Sequence, residues 1–104
     1  MKYALRFTPE IEEDVISAYA WYEHKSQGLG EDFIRIFDSA VSEIAHNPRL
    51  STQLDHGFRR RLLRRFPYAI YYTFQDETII IFGLFHCARD PLLIRSNLIN
   101  RSGS

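Results

Sequence analysis

Two neighbouring segments, YAIYYTF (residues 68–74) and TIIIFGLFHC (residues 78–87), are apolar at almost every position. Neither segment alternates between apolar and polar residues, so a strand built from either would be apolar on both faces. Only the three residues QDE (75–77) separate them, which favours a turn between adjacent strands. The pair therefore predicts two interior strands of one sheet.

The sequence before this pair predicts one strand and two helices. KYALRF (2–7) alternates in the manner of a strand. In EDFIRIFDSAVSEIAHNP (31–48), apolar residues recur at intervals of three and four, as in an amphipathic helix. An earlier helical segment, EIEEDVISAYAWYEHK (10–25), is followed by SQGLG (26–30), whose glycines end the helix and create a helical hairpin.

One further strand, FRRRLLRR (58–65), carries charge on both faces, so it should lie at an edge of the sheet or curl around one. The predicted order is β-α-α-β-β-β, an α+β fold in which a helical hairpin packs on a small, mostly antiparallel sheet. The 104 residues predict a single domain, 1–104. Its core spans 1–91, and a less regular apolar tail occupies 92–104.

Composition limits the classes of function. No apolar run approaches the roughly 18 residues that would predict a membrane span, and the N-terminus lacks a secretory pattern. The single cysteine, Cys87, is compatible with a reducing compartment, so we expect a cytoplasmic protein with no membrane partner. The four histidines and Cys87 show no metal-ligand spacing, and no phosphate-binding loop is present, so no metal or cofactor is expected.

Charge is distributed unevenly although the net charge is zero. Residues 1–47 hold nine acidic and four basic residues, a balance of −5, whereas residues 48–104 hold four acidic and nine basic residues, a balance of +5. Five arginines fall within the seven positions 59–65. Three interpretations of this cluster stay open: a solvated edge, a surface for an acidic partner peptide, and a surface for nucleic-acid phosphates.

The stretch GFRRRLLRRFPYAIYYTFQDETIIIFGLFHCARDP (57–91), with the helical hairpin before it, resembles the RelE/ParE superfamily of bacterial toxin–antitoxin toxins. The shared marks are a glycine followed by arginines, a PY pair that enters an aromatic strand, and a strand that ends in His and RDP. The resemblance implies the same β-α-α-β-β-β fold and a cognate antitoxin whose flexible segment wraps the toxin.

Two activities occur within this superfamily. RelE-like members cut mRNA on the ribosome, and ParE-like members inhibit DNA gyrase without chemistry of their own. The ending FHCARDP (85–91) resembles the ParE-like, plasmid-stabilisation branch, so the resemblance favours a gyrase inhibitor that is not an enzyme. The alternatives are a ribosome-dependent endoribonuclease and an inactive member that only binds its antitoxin.

Candidate site residues follow from these alternatives. For binding of an antitoxin or target they are Arg59, Arg60, Arg61, Arg64, Arg65, Arg89, Phe33 and Phe37, the two phenylalanines being either core or the floor of an antitoxin groove. For a nuclease they are His86 with Arg64, Arg65 and Tyr72, Tyr71 being an equal alternative to Tyr72.

The nuclease set has visible gaps. The arginine strand holds no lysine, and residues 57–75 hold no carboxylate that would pair with His86. Arginine is not deprotonated in proteins and cannot serve as the base. A purely structural role for His86, bonded to backbone or to Asp90 at a strand end, is the alternative to catalysis.

Overall fold

The computed structural model describes residues 3–103. The helices are α1 (Glu10–Lys25), α2 (Leu29–His46) and α3 (Pro91–Arg101). The strands are β1 (Ala4–Phe7), β2 (Thr52–Gln53), β3 (Phe58–Leu62), β4 (Tyr68–Gln75) and β5 (Thr78–His86). A 3₁₀ turn, Asp55–Gly57, precedes β3. The predicted β-α-α-β-β-β order is confirmed, and the two-residue strand β2 and the helix α3 are additions to it.

The five strands form one sheet in the order β1-β5-β4-β3-β2. The two strands predicted to be interior are interior: β4 lies between β5 and β3, and β5 lies between β1 and β4. All pairings are antiparallel except that of β1 with β5. The prediction that the arginine-rich strand lies at the edge was wrong: β3 is one position in from the edge, because the two-residue strand β2 pairs with its residues Arg59 and Arg60.

The helical hairpin of α1 and α2 covers one face of the sheet. The apolar stripe of α2 packs against β4, β5 and α1, as its three- and four-residue spacing predicts. The buried residues of this core include Ile11, Ala18, Tyr22, Phe33, Phe37, Ala40, Val41, Ile44, Ile70, Tyr72, Ile79, Ile81 and Leu84. This layer places the acidic outer surface of α2 beside the end of β3.

The turn between α1 and α2 depends on Glu23 and two glycines. Gly28 has φ = 88°, a left-handed conformation that glycine adopts without strain. The Glu23 carboxylate accepts hydrogen bonds from the backbone N–H groups of Gly28 and Gly30, both at 2.9 Å, at the start of α2. A Cβ on Gly30 would lie 2.8 Å from the Tyr19 ring, so the close approach of the helices requires glycine there.

The C-terminal segment, for which the sequence predicted no regular structure, is the helix α3 and covers the second face of the sheet. Asp90 begins it, because its carboxylate accepts a hydrogen bond from Leu92 N at 2.9 Å and Pro91 occupies the first turn. Ile94 and Leu98 of α3 are buried in a second apolar cluster with Phe58, Ala69, Tyr71, Phe82 and Phe85. The sheet therefore lies between two helical layers.

An ion pair joins the two helical layers past the edge of β5. Arg101 of α3 donates to both carboxylate oxygens of Asp14 of α1, at 2.7 and 3.2 Å, and each side chain is only 14% exposed. Arg101 also donates to the Phe82 carbonyl at 2.9 Å, and Leu84 N donates to Asp14 at 3.2 Å. Because β1 pairs with β5 only as far as Ile81, this ion pair satisfies backbone groups that β1 does not reach.

We expect Asp14→Ala to lower the free energy of unfolding by about 3 kcal/mol, because it leaves the Arg101 guanidinium partly buried without its carboxylate. Urea unfolding monitored by circular dichroism measures this loss. The matched control is Glu13→Ala, an exposed position on the same helix, which we expect to change stability by less than about 0.5 kcal/mol. Equal effects of the two substitutions would contradict a stabilising role for the pair.

Candidate functional site

The five clustered arginines do not form one surface. Successive residues of a strand point to opposite faces of the sheet, so Arg60 faces the α3 side whereas Arg59 and Arg61 face the α2 side. After Leu62 the chain leaves the strand and turns through Arg65, which has a left-handed φ of 67°. Arg64 and Arg65 therefore lie on this turn, at the exposed end of β3.

Arg59 has a structural role in the fold. Its Nη1 donates to the backbone carbonyls of Arg49 and Ser51, both at 3.2 Å. These carbonyls belong to the loop that follows α2 and leads into β2. Arg59 thus holds this loop against the sheet, and its guanidinium is already engaged within the chain.

Arg61, Arg64 and Arg65 form a group that we term the arginine rim. Arg61 is hydrogen-bonded to Glu43 of α2, and Arg64 lies 3.6 Å from the other carboxylate oxygen of Glu43. Arg65 lies 3.7 Å from Asp32, which also pairs with Arg35.

Glu43 and Asp32, the acidic residues that pair with the arginine rim, are each shared by two guanidinium groups. The surface therefore keeps an excess of positive charge. Solvent exposure shows where that excess is available: Arg64 is 81% exposed and Arg65 is 56% exposed. Exposed ion pairs of this kind contribute little to stability, and an anionic partner would be able to compete with them.

A groove of about 560 Å³ lies on the opposite face of the sheet, between β3, β4, the 3₁₀ turn and α3. We term it the α3 groove. Apolar residues form much of its lining, including Leu54, Phe58, Tyr71, Ile94 and Leu98. The polar and charged residues of its lining are Gln53, Asp55, His56, Arg60, Cys87, Arg89 and Arg95.

Three guanidinium groups and an imidazole therefore line one concave site. Arg89 lies over the Phe85 ring, with its guanidinium carbon 5.1 Å from the ring centroid, so it is held next to the groove. Among residues 3–103, Arg60 forms neither an ion pair nor a side-chain hydrogen bond. Such a site is suited to binding an anion, whether a carboxylate or a phosphate.

Of the charged and imidazole side chains in this groove, the sequence analysis names Arg60 and Arg89 as candidate binding residues but not His56 or Arg95. His56 comes from the 3₁₀ turn, and Arg95 comes from a helix that the sequence reasoning treated as an irregular tail. The signal that points to Arg95 is the Asp90-Pro91 helix start, which places the apolar face of α3 on the sheet.

None of the four residues that the sequence suggested for nuclease chemistry lines the α3 groove. His86 ends β5, where its Nδ1 accepts a hydrogen bond from Ala88 N at 2.9 Å and its ring packs edge-on against Tyr68 at 5.1 Å. Tyr72 is fully buried on the opposite side of the sheet from the α3 groove. Arg64 and Arg65 are on the turn after β3 and do not line the groove.

Tyr72 is also held in its protonated form. Its hydroxyl donates to the Pro48 carbonyl at 2.8 Å. Burial raises the pKa of Tyr72 above the usual tyrosine value, while the nearby charges of Arg59 and Arg61 offset part of that rise. Tyr71, the neighbour on the other face, is the tyrosine that lines the α3 groove.

Phe33 and Phe37, suggested as core or as the floor of an antitoxin groove, are buried core residues. The Phe33 ring contacts Tyr22, Phe66 and Tyr68 at centroid distances of 5.3, 5.1 and 5.3 Å. Within residues 3–103, no three His, Cys, Asp or Glu side chains are grouped so as to hold a metal ion. No helix in that range is long and apolar enough to cross a membrane.

Comparison with known structures supports the fold. The chain is similar to the chromosomal ParDE toxin–antitoxin system from P. aeruginosa (TM-score 0.72, 15% identity, 82% of this chain and 96% of that chain covered). It is similar to the intact E. coli RelBE toxin–antitoxin complex (TM-score 0.62, 16% identity, 84% and 99% covered). It also resembles the RelBE2 complex from Mycobacterium tuberculosis (TM-score 0.55, 23% identity, 83% and 99% covered).

The sequence comparison identifies the family. No curated protein sequence matches the chain significantly. The family model described as the ParE toxin of the type II toxin–antitoxin system, parDE, matches residues 5–91, which is most of the chain and ends where α3 begins. The chain therefore belongs to the ParE toxin family of type II toxin–antitoxin systems.

Proposed function

We propose that this toxin arrests growth by binding and inhibiting DNA gyrase in the cytoplasm, and that a cognate antitoxin neutralises it. The observation that carries the proposal is the ParE toxin match over residues 5–91. The choice of gyrase follows the ParE-like resemblance of the FHCARDP ending. On this proposal the protein acts by contact with its target and performs no chemistry.

The distribution of side chains supports inhibition by contact. None of the four nuclease candidates (His86, Arg64, Arg65 and Tyr72) lines the α3 groove, and Tyr72 is fully buried. The α3 groove instead combines an apolar lining with the guanidinium groups of Arg60, Arg89 and Arg95. A concave apolar surface with arginines is typical of the centre of a protein-binding site. We assign target binding to this groove.

The antitoxin is assigned to the other arginine surface. Structural neighbours of this chain include complexes described as ParDE, RelBE and archaeal RelE–RelB, in which a toxin is bound to its antitoxin. The arginine rim (Arg61, Arg64 and Arg65) offers charge-assisted hydrogen bonds to an acidic segment that becomes ordered on binding.

The gyrase assay tests the main proposal. Purified protein is expected to stop supercoiling of relaxed plasmid by gyrase and to increase the amount of cleaved DNA. The double variant Arg60→Glu/Arg89→Glu should inhibit at least about tenfold less, because it reverses two charges in the α3 groove. The control Arg6→Glu reverses a charge on the exposed edge strand β1 and should inhibit as the unmodified protein does. No inhibition by the unmodified protein contradicts the proposal.

A second function, ribosome-dependent cleavage of mRNA, is favoured by one observation. His56, Tyr71 and three arginines line the same groove, which would supply an acid or base and cations for attack of a ribose 2′-hydroxyl on its phosphate. On this alternative, His56→Ala and Tyr71→Phe would each lower the cleavage rate by about 100-fold.

Cleavage by purified ribosomes programmed with a defined mRNA measures this rate, with His86→Ala as the matched control. Abolition by His86→Ala instead would assign the chemistry to the strand-end histidine. An absence of both gyrase inhibition and RNA cleavage, together with no growth defect on overexpression, would indicate an inactive member that only binds its antitoxin.

Charge reversal tests the antitoxin surface separately. Arg64→Glu/Arg65→Glu should weaken binding of the cognate antitoxin by about tenfold or more in 0.1 M salt, because two exposed cations are replaced by anions. Isothermal titration calorimetry measures the dissociation constant. The Arg6→Glu control should bind with unchanged affinity, and an unchanged affinity of the double variant would contradict the assignment.

A further inference from the structure

A small cleft lies at the outer end of β3, next to the arginine rim but distinct from the α3 groove. Its volume is about 310 Å³, and its lining residues are Leu50, Ser51, Thr52, Arg60, Arg61 and Leu62. The cleft exists because β2 is only two residues long and pairs with Arg59 and Arg60, leaving the last residues of β3 uncovered at the sheet edge.

The backbone of Leu62 faces this cleft. On the outer side of β3, the Phe58 carbonyl accepts from Leu54 N at 2.7 Å, and on the inner side Leu63 N donates to the Tyr68 carbonyl at 2.9 Å. Backbone groups alternate in direction along a strand, so the N–H and C=O of Leu62 point outward like those of Phe58. Within residues 3–103 they have no backbone partner.

The side chains around the cleft are unusually apolar for an exposed edge. Leu50 is 73% exposed and Leu62 is 56% exposed. An uncovered strand edge flanked by exposed leucines invites pairing with another chain, and a stable soluble protein normally protects such an edge. This combination indicates a surface that is covered when the protein is in its functional complex.

Charge identifies the chemistry of the partner. Arg61 lines the cleft and shares the single carboxylate of Glu43 with Arg64. Glu43 is therefore an internal competitor: it occupies two guanidinium groups that would otherwise be available to an external anion. A partner with its own carboxylates would give Arg61 and Arg64 one carboxylate each, in place of the single Glu43 carboxylate that they share.

We propose that this cleft binds an extended, acidic segment of the antitoxin, and that Glu43 limits the affinity of that contact. An apolar side chain of the segment lies between Leu50 and Leu62, and its backbone bonds the free N–H and C=O of Leu62. Its acidic side chains pair with Arg61 and Arg64. This inference rests on the proposed function in one respect, that the toxin has an antitoxin.

Two other occupants fit the cleft less well. Duplex DNA would satisfy the arginines but offers no apolar side chain for the space between Leu50 and Leu62. A second copy of this chain would bring two arginine rims together across a twofold axis, and the like charges would repel. An acidic peptide with apolar residues can bond the Leu62 backbone, pack against the two leucines and pair with the arginines at the same time.

The experiment measures binding of the purified cognate antitoxin to the unmodified toxin and to four variants by titration calorimetry at 0.05 and 0.3 M salt. Leu62→Thr should weaken binding by about tenfold, or ~1.4 kcal/mol, since it removes most of the buried apolar contact. Glu43→Gln should tighten binding by about threefold at low salt and less at high salt, since it releases two guanidinium groups. Circular dichroism confirms that each variant is folded.

Matched controls isolate the cleft. Leu5→Thr makes the same substitution on the other edge strand, where Leu5 is 38% exposed. Glu31→Gln removes a carboxylate from the same helix as Glu43, at an exposed position without an ion pair among residues 3–103. Both controls should bind the antitoxin with unchanged affinity.

The outcomes separate the inference from the proposed function. If unmodified toxin binds the antitoxin but Leu62→Thr and Glu43→Gln behave as their controls, the cleft is not the contact and the toxin–antitoxin assignment stands. If unmodified toxin does not bind the antitoxin, the proposed neutralisation and this inference are both overturned. The inference is also overturned if Leu62→Thr changes only self-association, or if Glu43→Gln changes only binding to duplex DNA.

Discussion

The burial of β4 and β5 on both faces is the constraint on which the rest of the structure depends. Their side chains are apolar above and below the sheet, so each face requires its own cover. The hairpin of α1 and α2 provides one and α3 provides the other, with the Asp14–Arg101 pair joining the two layers. The arginines lie at two accessible parts of the sheet, its edge beside β3 and the groove beside α3.

The arginines are distributed by strand alternation and by the acidic face of α2. Arg61 on the helix side meets Glu43, and the turn that follows β3 brings Arg64 to the same carboxylate. Arg60, one residue earlier, faces the α3 groove. One short sequence therefore supplies two basic surfaces, the arginine rim and the α3 groove.

Prediction from the sequence succeeded where the physical signal was local. The interior strands followed from continuous apolar runs, and α2 followed from its spacing, ending as Asn47 and Pro48 predict. Site prediction was less complete, because a tyrosine pair such as Tyr71 and Tyr72 gives no indication of which ring faces the helices. His56 was missed because it comes from an irregular turn that only the packed structure places beside Arg60.

By itself, the sequence determined the helical hairpin and the four longer strands, the central position of β4 and β5, the charge asymmetry and the family resemblance, because each depends on residues close together in the chain. Only the tertiary structure decided which arginines are engaged by Glu43, which line the α3 groove, and that Leu62 has no strand partner on its outer side. Those outcomes depend on contacts between residues far apart in sequence, such as Arg61 with Glu43, and on the length of β2. No local pattern encodes them.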